Sequence, residues 1–255
     1  MRTAIVIPAR YGAQRLPGKP LLRSTGKYLV QHVYERACQA RRADTVVVAT
    51  DDSRIVAAVE SFGGQCVLTR RDHACGTDRV AEVATKLDAD IVVNLQGDEP
   101  QTDPAALDQL PDLLARDPEA VMGTLAAPIH DPEVYTNPNC VKVVRDHRGR
   151  AIYFSRSPIP HVRDGRPDFA TSPPRFLQHI GVYAYRREFL LQLATRPPTA
   201  LEDCEKLEQL RVLHLGGAIQ VGVVAQATRG VDTFEDYQRF VTAYSIRPLA
   251  PAKAA

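Results

Sequence analysis

The chain has almost no net charge. Lys and Arg total 32 against 30 Asp and Glu, a formal +2 at pH 7. A protein that binds nucleic acid through its backbone needs a basic face, so this balance speaks against that class. Any anion site has to be local. Paired cysteines are also missing. The five present, Cys38, Cys66, Cys75, Cys140 and Cys204, are odd in number and no two stand at CxxC spacing. That argues against a disulfide framework or a structural zinc site and for reduced thiols in a cytoplasmic protein. Long apolar runs are lacking too. The N-terminus, MRTAIVIPARYG, stops its short apolar run at Pro8, too soon for a signal sequence. Nothing approaches the roughly 18 apolar residues of a membrane span, so no membrane insertion is expected. There is no GK[ST] phosphate-loop signature, no internal repeat and no low-complexity tract. The closing PLAPAKAA reads as a frayed end.

The 255 residues are 44% hydrophobic and 24% charged, ordinary values for a globular protein large enough to bury its own core. The length suits one domain carrying an insertion. Short β-branched runs alternate with helix-period segments. TAIVIP at 3–8, TVVVAT at 45–50, CVLT at 66–69 and IVVNLQ at 91–96 read as buried strands. Between them, 28–41 places Leu29, Val30, Val33, Tyr34 and Ala37 on one helical face. A second helix, with Ser53 as its cap, carries Ile55, Val56 and Val59. A third opens near Thr77 with Val80, Val83, Ala84 and Leu87 inward. Continuous apolar strands alternating with amphipathic helices imply an α/β fold with a mainly parallel sheet covered on both faces. Ligands in such sheets bind beyond the carboxyl ends of the strands. The chemistry is therefore expected in the loops after the first and fourth strands.

From about residue 120 the pattern changes. VMGTLAAPI, VKVVRD and AIYFSR read as strands, the last two as a hairpin around DHRGR; 157–175 reads as a Pro-, Arg- and Asp-rich loop. The segment 121–175 is expected to form a smaller mixed α/β insertion on a core of 1–120 and 176–247, all within a single domain, 1–255. FLQHIGVYAYRR is a further strand. Thr199 and Glu202 make a capping box for a helix through about Leu215. IQVGVV returns to strand and Thr233 starts a final helix.

Three loops carry residues suited to chemistry. After the first strand comes PARYGAQRLPGKP, with Arg10, Arg15 and Lys19 interleaved with Gly12 and Gly18. Backbone N–H groups with an Arg and Lys fork suit a triphosphate, although the same loop could be merely solvated. After the fourth strand, NLQGDEP places Asp98 at a strand tip, where a carboxylate can share Mg²⁺ with phosphate oxygens; a turn-forming Asp is the alternative. In GVDTFED, Asp232 is either the N-cap of the last helix, with Glu235 at N3, or a second metal carboxylate returned to the sheet by the fold.

Taken in order, these segments resemble the 3-deoxy-manno-octulosonate (Kdo) cytidylyltransferase family. The shared pieces are IPARYGAQRLPGKPL at 7–21, VVVATDD at 46–52, CGTDRVAEV at 75–83, VVNLQGDEP at 92–100, NPNCVKVV at 137–144, YFSRSPIP at 153–160, HIGVYAYR at 179–186, LEQLRVL at 207–213 and GVDTFED at 230–236. They run nearly from end to end. Phe234 stands where the family form would have Pro, and GKY at 26–28 replaces the commoner GKP; neither touches a proposed ligand. The resemblance implies a Rossmann-like, GT-A-like nucleotidyltransferase core and an insertion used for dimerisation.

It also implies roles. Ala9, Arg10, Gly12, Arg15, Lys19, Cys75, Gly76 and Asp98 would bind CTP, and Asp98 and Asp232 would hold Mg²⁺, with Arg15 and Lys19 catalytic alongside them. Arg79, Gln96, His179, Tyr183, Glu208 and Gln209 would contact Kdo, with Arg79 the candidate partner of its carboxylate. The implied reaction is attack of the anomeric hydroxyl of Kdo on the α-phosphorus of CTP, giving CMP-Kdo and pyrophosphate, with charge neutralisation as the main catalytic device. A second Mg²⁺ bridging Kdo to the two aspartates would assist the attack. No Ser–His–Asp or Cys–His nucleophile is evident. The family further implies a homodimer joined through the hairpin at 141–155 and a product used for lipopolysaccharide or capsule; the 157–175 loop, long and polar, is the natural lid candidate. An 8-amino analogue of Kdo, another acidic ulosonate, or CTP sensing without catalysis are the alternatives.

Overall fold

The computed structural model describes residues 1–12, 15–73 and 75–246; the tail read as a frayed end lies outside them. The first half alternates as its pattern requires. In order come β1 (Thr3–Pro8), α1 (Leu29–Ala37), β2 (Thr45–Thr50), α2 (Ser53–Ser61), β3 (Cys66–Leu68), α3 (Gly76–Ala84) and β4 (Ile91–Asn94). Then follow α4 (Pro104–Arg116), β5 (Ala120–Pro128), α5 (Pro132–Thr136), β6 (Lys142–Arg145), β7 (Ala151–Ser155), β8 (Leu177–Arg186), α6 (Arg187–Leu193), α7 (Ala200–Glu205), α8 (Gln209–His214), β9 (Ala218–Val223) and α9 (Phe234–Ile246).

Among the described residues these strands form a 9-stranded sheet with the order β3-β2-β1-β4-β8-β5-β9 and the β6–β7 hairpin joined to β8. The β3-β2-β1-β4 half is parallel, with Ile5 opposite Val46 and Thr3 opposite Ile91. β8 runs antiparallel to both β4 and β5, and β9 is parallel to β5. Alternate side chains go to opposite faces. Ile5, Ile7, Val46, Val48 and Val93 pack with α1, α2 and α4 through Val33, Ile55, Val59, Leu107, Leu110 and Leu114. Val6, Val47, Ala49 and Val92 pack on the other face with Val80, Val83, Leu190 and Leu210. Burial on both faces is why these strands read as unbroken apolar runs.

The structure differs from the sequence reading in several places. Asp52, not Ser53, caps α2: its carboxylate accepts from the Arg54 N–H at 2.9 Å. Residues 120–128 form a strand of the main sheet, between β8 and β9, so the segment that leaves this path begins after β5 and not at 121. The helix expected from Thr199 to Leu215 is two. The Thr199–Glu202 capping box is present, but Lys206 takes the left-handed conformation (φ 53°) and α8 begins afresh. α4 was not anticipated. Beyond β5, Ile129, Tyr135 and Phe176 make a small separate core. Fully buried Lys142 anchors this region: its ammonium donates to the carbonyls of Asn137, Cys140 and Arg156 at 2.9, 2.6 and 2.6 Å. No helix among the described residues is long and apolar enough to cross a membrane.

Candidate active site

The strands β1 and β4 end side by side. A Cβ on Gly97 would lie 2.8 Å from the Pro8 carbonyl oxygen, so only glycine lets the β4 exit pass the β1 exit this closely. Gly97→Ala is expected to cost about 1–3 kcal/mol in stability and to displace Asp98. Urea unfolding and CTP affinity, measured together, check both effects. After β1 the loop closes on itself through Gly18 N–H to the Tyr11 carbonyl at 3.0 Å. Gly18 has φ +68°, a conformation that suits glycine. The next residue, Lys19, points its ammonium at Asp98 (2.7 Å) and Asp232 (3.4 Å), while Arg15 reaches Asp232 at 3.1 Å.

These groups face a cavity of about 530 Å³ at the carboxyl ends of β1 and β4. Of the residues proposed from sequence, Ala9, Arg10, Arg15 and Lys19 line one side. Cys75, Gly76, Arg79, Gln96 and Glu208 line the other, with Asp98 and Asp232 between them. His73, Leu16 and Pro20 also line it and were not singled out. His73 hydrogen-bonds Glu82, which secures the turn into α3. Four proposed residues do not line it: Gly12, His179, Tyr183 and Gln209.

Three of those four pack together, His179 and Gln209 buried and Tyr183 half-buried. Tyr183 donates its hydroxyl to Gln209 Oε1 at 3.2 Å, and its ring lies 5.5 Å from that of His179. Burial, then the Glu208 carboxylate, raises the Tyr183 hydroxyl above its ordinary pKa. Gln209 Nε2 is buried with no protein partner among the described residues, and such a donor is costly to leave unsatisfied. Glu208 itself accepts from Thr77 Oγ1 at 2.6 Å; Asn94 approaches the same oxygen, and Gln96 Nε2 donates to Asn94 Oδ1 at 3.0 Å. One polar chain thus joins α3, β4 and α8.

Arg79 has a different duty from the one expected. Its side chain is 5% exposed, and its guanidinium donates to Asp51 at 2.8 Å, to the Arg70 carbonyl at 3.2 Å, and to Thr69. It lines the cavity as a paired group that ties α3 to β2, so a substrate carboxylate would have to compete with Asp51. Cys75 is no nucleophile. Burial, with the Glu208 carboxylate next, pushes its thiol up to about 12, leaving it neutral at physiological pH.

Asp98 and Asp232 are not caps. The box at the start of α9 belongs to the next residue pair: Asp236 N–H donates to Thr233 Oγ1 at 3.2 Å, and Thr233 N–H donates to the Asp236 carboxylate at 2.9 Å. This leaves the Asp232 carboxylate free to face Lys19 and Arg15. Phe234, the residue standing in place of proline, opens the helix as an exposed side chain. Glu99 adds only part of a third charge at neutral pH. Burial, reinforced by Asp98, raises its pKa to about 7, and its carboxyl accepts from Thr228 Oγ1. Among the described residues no three His, Cys, Asp or Glu side chains converge as a cage. Two carboxylates beside a basic pocket are a donor set that fits Mg²⁺, which completes its shell with water and phosphate oxygens.

Buried histidines make a pH prediction. His179 accepts or donates at Thr124 Oγ1 (2.9 Å), and burial lowers its pKa to about 3; His32, buried against Phe240 and Tyr244, falls to about 4. The unfolded chain takes up these protons near pH 6.5, the folded chain only well below it. Stability is therefore full above that pH and falls as pH drops towards 5, by up to about 1.4 kcal/mol per pH unit for each histidine. Urea unfolding from pH 7 to 5 measures the slope. His179→Gln is expected to remove about half of it, and an unchanged slope would contradict its buried, neutral state.

A mostly parallel α/β sheet, a glycine-bearing basic loop after β1 and two carboxylates meeting a lysine define a nucleotidyltransferase-type site. Comparison with known proteins narrows this. A family profile described as cytidylyltransferase matches residues 4–219. The 3-deoxy-manno-octulosonate cytidylyltransferase of Syntrophotalea carbinolica is 51% identical over 94% of this chain and 97% of its own. That of Syntrophobacter fumaroxidans is also 51% identical, over 94% and 96%. A solved structure of CMP:2-keto-3-deoxy-manno-octonic acid synthetase complexed with CTP superposes with TM-score 0.89 at 44% identity, covering 96% of this chain and 99% of that one. The 4-diphosphocytidyl-2C-methyl-D-erythritol synthase of Anaerococcus prevotii shares only the fold, at 13% identity and TM-score 0.63. The chain belongs to the 3-deoxy-manno-octulosonate cytidylyltransferase family.

Proposed function

We propose that this enzyme transfers CMP from CTP to the anomeric hydroxyl of Kdo and releases pyrophosphate. The observation that carries the reading is the meeting of Lys19, Asp98 and Asp232 in a cavity walled by Arg10 and Arg15. A triphosphate brings concentrated negative charge. Arg10, Arg15 and Lys19 neutralise it from the phosphate loop, and the charge that develops on departing pyrophosphate meets the same cations. Asp98 and Asp232 would hold Mg²⁺, which would supply further charge neutralisation at the phosphates. On nucleotide binding Lys19 passes from its carboxylate partners to phosphate oxygens.

The sugar acid enters from the other wall. Glu208 and Gln96 face the cavity and would hydrogen-bond the sugar hydroxyls. His179 and Tyr183 set the shape of that side from behind. The neutral Cys75 thiol fits direct transfer with no covalent enzyme intermediate. We further propose a cytoplasmic homodimer that pairs through the β6–β7 hairpin, where Ile152 is 59% exposed. Its product would feed lipopolysaccharide or a Kdo-bearing capsule, and the 157–175 loop would close over the sugar.

The test is a sugar panel. Pyrophosphate release from CTP with Mg²⁺ is expected with Kdo and not with sialic acid. Release with the 8-amino analogue alone would keep the chemistry and overturn the sugar assignment.

A further inference from the structure

We propose that Arg54, held in place by Asp52, is a positioning residue for the phosphate loop: stacked on Tyr11, it fixes the Tyr11–Gly18 closure of the loop that presents Arg10 and Arg15 to the nucleotide. The inference rests on the functional reading above, because it assigns the loop to CTP.

The Arg54 guanidinium carbon lies 3.4 Å from the centre of the Tyr11 ring. A cation over an aromatic face is attracted by the ring's quadrupole. The plane of the guanidinium is set from the other side. Asp52 accepts from Arg54 Nε at 2.9 Å and from Nη2 at 2.6 Å, and its Oδ1 also takes the Arg54 N–H that caps α2. Hydrogen bonding from Arg54 holds the Asp52 carboxyl down at about 2, so this partner stays ionised. Lysine could supply the charge but not a flat fork that pairs and stacks at once.

Tyr11 passes the constraint on. Its carbonyl accepts from the Gly18 N–H at 3.0 Å, and a Cβ on Gly18 would sit 3.3 Å from its ring. Gly18 leads directly into Lys19, whose ammonium meets Asp98 at 2.7 Å. A continuous path therefore runs from the first turn of α2, through one stacked ring and one glycine, to the cation at the reacting centre. Asp52, Arg54 and Tyr11 do not line the cavity. Whatever they contribute to CTP binding acts through the loop. The pairing also accounts for the second Asp of the VVVATDD segment: Asp51 secures Arg79 on one wall, and Asp52 secures the phosphate loop on the other.

The experiment measures Kd for CTP directly, with Mg²⁺, together with KM for each substrate and kcat. Arg54→Ala and Tyr11→Ala are each expected to weaken CTP about fivefold, as loss of one cation–π contact implies, with KM for the sugar unchanged. The double variant is expected to be no worse than either single one, because both remove the same contact. Tyr11→Phe keeps the ring and is expected to hold CTP affinity within about twofold. Asp52→Asn keeps the helix cap, since Asn caps as well as Asp, yet loses the ionic partner of Arg54, and is expected to weaken CTP with little change in thermal stability. CTP affinity unchanged in Arg54→Ala, or single effects that multiply in the double variant, would overturn the proposal. The functional reading fails differently: the parent enzyme would bind CTP and release no pyrophosphate with any sugar. The Kd comparison decides the role of Arg54 in either case.

Discussion

Asp98→Asn is expected to fold like the parent and to lose about 10²–10³ in kcat, the usual effect of removing one electrostatic partner at a reacting centre. Folding survives because the Asp98 side chain caps nothing. Its carboxylate partner is Lys19, and it is 28% exposed. Lys19 is 12% exposed but keeps Asp232 at 3.4 Å, so the change strands no buried charge. The Asp98 backbone carbonyl, which accepts from Val231 N–H at 2.7 Å, is untouched by the change. What is lost is charge at the tip of β4, where phosphate, Lys19 and Mg²⁺ would be gathered. Thermal unfolding and single-turnover kinetics separate the two outcomes. Near-normal turnover in a folded variant would remove Asp98 from the machinery. Glu99 next to it does not replace it, because its carboxyl accepts from Thr228 while Lys19 pairs with Asp98 and Asp232.

Arg211→Met is expected to destabilise the protein by about 3–5 kcal/mol, because it strands a carboxylate in the interior. Arg211 and Glu202 are 10% and 9% exposed. The pair is bidentate, with Nε to Oε2 at 2.7 Å, and Arg211 also donates to the Arg196 carbonyl at 2.9 Å. Glu202 returns to Thr199 to complete the capping box of α7. The pair clamps α7 to α8 across the left-handed Lys206, and α8 with its N-cap carries Gln209 and Glu208. Loss of the clamp is therefore expected to raise KM for the sugar more than KM for CTP. The double variant Glu202→Gln with Arg211→Met removes the stranded charge and is expected to recover part of the stability. Urea midpoints at constant m, with both KM values, test this; a double variant as unstable as the single one would contradict it.

Much of this architecture was legible in the sequence. The β1–β4 half announces itself because strands buried on both faces are continuous apolar runs, and its helices carry clear periodic faces. Location followed from topology: loops beyond β1 and β4 had to hold the site, and Arg10, Lys19 and Asp98 lie there. The gaps have physical causes. α4 contains Pro111, a residue that ordinarily interrupts a helix, although Leu107, Leu110 and Leu114 fall on one face. The break at Lys206 has no glycine to signal it. In GVDTFED the box expected from Asp232 and Glu235 lies one residue on, between Thr233 and Asp236, a shift that only the fold decides. The pairing of Arg79 with Asp51 joins residues distant in sequence, which no local pattern reveals. Glu208 and Gln209, by contrast, were proposed only through resemblance, since on an amphipathic helix they look like any polar surface pair; of the two, Glu208 lines the cavity.

The central claim is that this cavity joins CMP to Kdo. The most direct test follows CTP, Mg²⁺ and Kdo with the enzyme by ³¹P NMR. The account predicts loss of the triphosphate signals, appearance of pyrophosphate and an equal amount of a phosphodiester carrying CMP and Kdo. CTP that binds but stays intact in the presence of Kdo would contradict it.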